Sequence, residues 1–466
     1  MTRASCGGCL SALGLGLLAL VGGWAGDPAR AEVVVAGPSD YRERVRDLEP
    51  GDTLALESGT YRKGLQVHGL HGRPGKPIHI AGPEEGRPAV FLARSGHNTV
   101  SIVDSAYVTI RDLEIDGRGK AVDGVKAEGH ARYAHHITLR NLRIHNLARN
   151  QQVVGISTKC PAWDWRIQGN VIEGAGTGVY LGDGNGAAPF IGGLIEHNLV
   201  TDPIGYALQV KHQPGRPDLG GMPKEPRTTT LRHNVFAKGD NSSTGGMARP
   251  NVLLGHFPPK GPGARDRYAV YGNLFYRNPT DEALFQGEGS IALYDNLFIN
   301  PQGDALAIMP HKGQPRRIWI FHNTVIARGT GLFFRATDAT RDQLVTGNAF
   351  FAERPLSGSF ERNGENVSGP YAKASGRLAA PFAEPGRLDL TPASKESLRL
   401  EISLPPDLVW QLPDAGRDFA GRARTGQFAG AYAGPMDGAH WLPALEIKPV
   451  GGEPARNAPV REDGNG

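Results

Sequence analysis

Apolar and polar residues alternate in short runs through most of the chain, and each run follows a turn or a small residue. Residues 50–61 alternate in this way after Pro50-Gly51-Asp52, and Ile78-His79-Ile80-Ala81 and Val100-Ser101-Ile102-Val103 repeat the pattern. A period of two over a few residues predicts half-buried strands. A second regularity overlies the first. Asn141, Asn170, Asn198, Asn234, Asn273, Asn296, Asn323 and Asn348 each follow a polar residue or Gly and precede two mostly apolar residues, at intervals of 29, 28, 36, 39, 23, 27 and 25. Asp112 stands 29 residues before Asn141 in the same phrase. Such intervals, stretched by insertions, predict a solenoid with coils of about 20–30 residues. At a bend, an Asn amide can bond the backbone and the Asn stacked above or below it.

The predicted class is therefore all-β: a right-handed parallel β-helix over residues 32–435. Residues 40–48 form a short helix capping its open end, and an irregular segment follows Phe351. A cap is needed because the end of a solenoid is a free sheet edge. Loops are predicted at 214–226, with four Pro and three Gly, and at 257–267. Residues 436–466 are expected to be a flexible tail.

Composition changes this picture little. A length of 466 residues suggests two or three domains, but a solenoid extends around one continuous core. The net charge of +4 comes with no run of Lys or Arg, so a nucleic-acid partner is not expected. Residues 1–31 read as a signal peptide: Arg3, an apolar stretch from Leu10 to Ala25, then Ala29-Arg30-Ala31. No other run approaches the roughly 20 apolar residues of a membrane span. A periplasmic or secreted monomer is the expectation, with Cys160 as the one thiol left after cleavage.

Alternation also places candidate chemistry. With Ile156, Leu181, Val210 and Ile308 inward, their neighbours face outward, and coils stacked about 4.8 Å apart align them. The resulting column holds Lys159, Gln209, Lys211, Gln286, Glu288 and His311, with Asp183, His212 and His256 at its margin. Lys, Glu and His on one sheet face suit an acidic polysaccharide. Glu288 with Asp183 or Glu282 would instead suit hydrolysis by two carboxylates. Trp163-Asp164-Trp165 offers either a platform for a sugar ring or core packing. Zinc spacings, P-loops and dinucleotide fingerprints are absent from the sequence, and no residue is assigned as a metal ligand.

The turn Pro50-Gly51-Asp52-Thr53 with Gly59-Thr60-Tyr61, and the closing residues 418–432, resemble the pectate-lyase-like right-handed parallel β-helix superfamily. The nearest members are the chondroitinase-B-like and alginate-lyase-like family-6 polysaccharide lyases, and the resemblance spans residues 33–435. Lys211-His212 is similar to the strand Lys of those lyases, which implies Lys211 as the base. Arg249, in the coil that follows, is then its partner, with His212 beside them. Those lyases carry acidic calcium ligands just before the Lys. Here that stretch is Pro203-Ile204-Gly205-Tyr206-Ala207, with no acid nearer than Asp202, so calcium remains an open cofactor. The expected activity is β-elimination on a uronate-containing polysaccharide. The alternatives are a hydrolase, an epimerase or a non-catalytic polysaccharide-binding β-helix.

Overall fold

The computed structural model describes residues 31–335, 342–358, 362–402, 404–405, 411–424, 427–438 and 440–450. The expected signal peptide lies outside them except for Ala31. The alternating runs form strands, and successive coils stack them in parallel. Sheet 1 runs from Val33–Ala36 through Ala134–Arg140, Thr228–Arg232, Arg267–Tyr271 and Ile291–Tyr294 to Ile318–Phe321 and beyond. Sheet 2 follows the bend after sheet 1, from Gly59–Tyr61 to Val367–Gly369. Sheet 3 comes next, from Leu65–His68 through Thr177–Leu181, Leu208–Val210 and Phe285–Gly287 to Leu306–Ile308. Sheets 2 and 3 join where Thr324–Phe334 and Ala349–Gly358 run through both. The fold is a right-handed parallel β-helix with one continuous apolar core from Ala36 to Ala352. No helix among the described residues is long and apolar enough to cross a membrane.

The predicted cap forms as Tyr41–Arg44 followed by a 3₁₀ turn at Val45–Asp47. Tyr41 covers the end of the core, donating its hydroxyl to Gly64 O at 2.8 Å and meeting Tyr61 edge-on.

The repeated Asn residues build a ladder at the bend from sheet 1 to sheet 2. Each side-chain Nδ2 donates to the Oδ1 one coil further on: Asn170 to Asn198 (2.8 Å), Asn198 to Asn234, Asn234 to Asn273 and Asn273 to Asn296 (2.9 Å each). Asn296 to Asn323 and Asn323 to Asn348 follow at 3.0 Å, and Asn348 to Asn366 at 2.9 Å. The first copy of the phrase corrects the expectation. Arg140 pairs with Gln168, so Asn141 aligns with Gly169, and Leu142 occupies the ladder position. Asn141 (φ 52°) and Asp112 (φ 59°) instead belong to the neighbouring column of left-handed residues that turns every bend, with His197, His233, Asp295 and His322. Asn and Asp tolerate that conformation better than most side chains, which is why one letter served two roles.

The segment after sheet 2 ends is irregular but not loose. Leu378, Leu390, Leu398, Phe419 and Tyr432 cover the outer face of sheet 2, and Leu412 and Ala415 cover that of sheet 1. Part of the segment expected to trail free also packs: Trp441 stacks on Phe419, and buried Lys448 donates to Gly272 O (2.9 Å) and Phe419 O (2.7 Å). Residues 451–466 of the expected tail lie outside the described residues. These wrappings fall on sheets 1 and 2, which leaves sheet 3 to carry a cleft.

Candidate functional site

The cleft lies on the outer face of sheet 3 and encloses about 870 Å³. Its floor is set by register. Lys126, Ser157, Tyr180, Gln209, Leu253 and Gln286 stand one per coil in a single outward row. The next outward row places Lys159 and Lys211 two coils apart with Gly182 between them. A Cβ at Gly182 would lie 3.0 Å from that of Lys211, at φ 98°, so glycine here leaves room for the lysine. Both ammonium groups gather at Tyr180: Lys159 Nζ is 3.4 Å from the ring centroid and Lys211 Nζ 5.9 Å.

Arg249 enters from the loop after the 3₁₀ turn Gly245–Met247. Its guanidinium donates to Gly246 O (3.1 Å) and Ala248 O (2.5 Å) and lies 5.9 Å from the Tyr206 ring. Its backbone is pinned from beneath, because Arg249 O accepts Lys238 Nζ (2.8 Å) and Asn278 Nδ2 (3.0 Å). The loop is thus held by groups that do not reach the cleft.

Burial dominates the electrostatics. It lowers the Lys159 pKa to about 8, against the pull of Asp123 and with help from Lys126 and Lys211. The Lys211 ammonium is pushed down too, by burial and then by Lys312. Burial raises the Tyr180 phenol to about 12 and lifts Tyr206 as well. His311 is lowered, first by burial and with Lys211 adding to it. Glu282, at one end of the cleft, is raised by burial against the nearby Arg249 and Lys238.

Of the residues expected in the groove, Lys159, Gln209, Lys211, Arg249, Gln286 and His311 line the cleft together. Asp183, His212, His256 and Glu288 do not. Asp183 Oδ1 accepts Ala188 N (2.9 Å) in the turn after its strand. His212 and His256 lie side by side with ring centroids 5.5 Å apart. Glu288 is the clearest correction. Its carboxylate is fully buried and accepts the backbone N–H groups of His311, Lys312 and Gly313 (2.8 Å each) and of His256 (3.3 Å). It ties two loops together and presents nothing to a ligand. The tryptophan platform is also absent: Trp165 donates to Ala134 O (2.9 Å), Trp163 stacks on His135, and both are buried.

Sequence reasoning missed Tyr180, Tyr206, Lys126 and Asp123. Tyr180 was readable, since it is the outward neighbour of Val179 in an alternating strand. Asp123 lies before its strand, where alternation has not begun; it accepts Val154 N and Ser157 Oγ at 2.9 Å and pairs with Lys126 at 3.6 Å. Calcium takes six to eight oxygen ligands. Around Lys211 stand Tyr180, Gln209 and Lys159, and no group of three His, Cys, Asp or Glu that could hold a metal occurs among the described residues. This donor set does not fit calcium.

No family model matches the chain, and no curated protein matches it in sequence. Solved structures align with it at low identity. A lacto-N-biosidase of family GH136 from Eubacterium ramulus is 12% identical, with 73% of this chain and 68% of that one covered and a TM-score of 0.48. A rhamnogalacturonan lyase is 12% identical over 68% and 87%, with a TM-score of 0.47. A PL6 family alginate lyase is 13% identical over 72% and 51%, with a TM-score of 0.45.

Proposed function

We propose that this chain is an exported, carbohydrate-active β-helix protein that cleaves an anionic, uronate-containing polysaccharide by β-elimination. The observation that carries the reading is the pair Lys159 and Lys211 converging on Tyr180 in a cleft that also holds Arg249. Lys211, its ammonium weakened by burial and then by Lys312, gives up its own proton and takes the one α to the uronate carboxylate. The electrons left behind form the C4–C5 double bond as the C4–O glycosidic bond breaks. Arg249 and Lys159 offset the charge building on the carboxylate, in a cleft where water screens it less. Tyr180, held protonated by burial, is the donor to the departing oxygen.

Hydrolysis is disfavoured by the carboxylates themselves. Glu282 lines the cleft, but both carboxylates that could pair with it are taken: Glu288 is sealed by backbone N–H groups and Asp183 holds the turn after its strand, while Asp123 is committed to Val154, Ser157 and Lys126. Epimerisation would use the same proton abstraction without bond cleavage. Purified protein, incubated with a panel of uronate polymers, is expected to give the absorbance of an unsaturated uronate product. Lys211→Ala should lose about 10²–10⁴-fold in rate, and Arg249→Ala should also slow turnover. Wild-type rates in Lys211→Ala would remove it as the base. A polymer bound but unchanged would make the protein a binding module. Export predicts a mature N-terminus at Glu32, and mass spectrometry finding Met1 on natively expressed protein would refute that part.

A further inference from the structure

A second cavity, of about 470 Å³, opens where the inserted loops meet the N-terminal ends of the sheet 1 strands Thr228–Arg232, Arg267–Tyr271, Ile291–Tyr294 and Ile318–Phe321, and it shares no residue with the cleft. Five arginines line it: Arg227, Arg265, Arg267, Arg316 and Arg317. The one acid among its lining residues, Asp266, is spent internally. Its carboxylate takes the buried Arg216 guanidinium and the Arg227 N–H (2.9 Å), which joins the two insertions. Arg227 is held by Glu225 (3.0 Å) and Asp164 (3.5 Å), and Arg316 donates to Pro258 O (3.0 Å) and Phe257 O (3.2 Å).

Arg265, Arg267 and Arg317 are different: none has a carboxylate within ion-pair distance among the described residues. Arg267 Nε meets Thr228 Oγ1 at 3.2 Å, and Arg317 lies over Trp319 at 5.4 Å. Register places Arg267, Ser290 and Arg317 in one outward column, because Tyr268 pairs with Ile291 and Ile291 with Ile318. The two arginines therefore stand two coils apart, about 10 Å, with a small hydroxyl residue between them. Burial, and after it repulsion from Arg317, lowers the Arg267 pKa. Two guanidinium groups with no carboxylate within ion-pair distance among the described residues form a clamp for an anion, since each presents a planar fork that suits carboxylate or sulfate; Asp342, one coil beyond Arg317 in the same column, is taken by Trp319 Nε1 at 2.9 Å. The volume exceeds what a lone ion needs and falls within the range of small-molecule sites.

We propose that this cavity is a second saccharide-binding site, taking a sugar unit through its carboxylate or sulfate, with Arg267 and Arg317 as the clamp. It stands apart from the activity assigned to the cleft. Calorimetric titration with a uronate trisaccharide, and separately with inorganic phosphate, compares wild type with the Arg267→Gln/Arg317→Gln double variant. The variant is expected to bind one trisaccharide fewer per chain, whether or not the cleft contributes a site of its own. Its melting temperature should be unchanged or raised, because two unanswered cations are removed. The single variant Arg317→Gln, at an exposed position, guards against misfolding and should bind about tenfold more weakly at this site. An unchanged trisaccharide count in the double variant overturns the proposal. So does phosphate binding that the double variant loses while its trisaccharide count stays the same, which would make the cavity a free-anion site.

Discussion

Replacing Asn273 with Ala tests the ladder at its middle. The Asn273 side chain donates to Asn296 Oδ1 (2.9 Å), Leu231 O (2.9 Å) and Tyr271 O (3.0 Å). Its Oδ1 accepts both the backbone N–H and the Nδ2 of Asn234, at 2.9 Å each. After truncation, Asn234 Nδ2 keeps Ile195 O, and Asn296 Oδ1 keeps the Asn273 N–H. The Asn234 backbone N–H keeps nothing and is fully buried. One orphaned buried donor costs about 1–3 kcal/mol, and the small void and weakened neighbours bring the expected loss to about 2–4 kcal/mol. Urea unfolding should show this as a lower midpoint at unchanged slope. Asn141→Gly is the matched control. That residue is exposed, sits at φ 52° and its side chain bonds only Asp112 Oδ1 at 3.1 Å, so glycine should shift stability by no more than about 0.5 kcal/mol. Equal losses at the two positions would refute the register, and no loss at Asn273 would refute the burial argument.

Two further outcomes are expected. Burial lowers Lys448 from its ordinary 10.5 to about 7, against the pull of Asp418 and Asp295, so the unfolded chain holds its proton more tightly. Stability should therefore climb as pH rises from about 7 towards 10.5, and Lys448→Met should flatten that climb in urea midpoints; parallel pH profiles would count against it. Glu288→Gln keeps the shape but removes the charge and one acceptor oxygen that serve His256 and residues 311–313. A loss of about 2–3 kcal/mol is expected, with weaker substrate affinity because His311 rides on that loop; an unchanged midpoint would contradict it.

The coil periodicity was legible because each coil repeats the same two constraints, an alternating strand and a bend. Where two columns accept the same residue type, as Asn141 and Asn170 do, spacing alone could not assign the register. The cleft face was legible as far as alternation reaches: Lys159, Gln209, Lys211 and Gln286 follow from it, as Tyr180 would have. Glu288 has the right parity but is turned inside by loop backbone N–H groups, and no side-chain pattern encodes those. The covering role of Leu378, Leu398, Leu412, Phe419, Tyr432 and Trp441 was hidden because their segment has no period. Its target was not hidden. Leu297-Phe298-Ile299 and Ile318-Trp319-Ile320-Phe321 are apolar on both faces, the mark of a strand covered twice.

The stacking of coils also bears on how such a cleft changes by descent. Each coil of the cleft brings one strand to every sheet and one residue to the floor, with a rung of the ladder from Asn170 onward, and it bonds mainly to its immediate neighbours. Duplication or loss of a whole coil would lengthen or shorten the cleft by about 4.8 Å while leaving every surviving side chain on its face. Gain or loss of a single residue within a strand would turn the following side chains to the opposite face. Cleft length is therefore free to vary in whole steps, whereas the phase of each strand is held fixed.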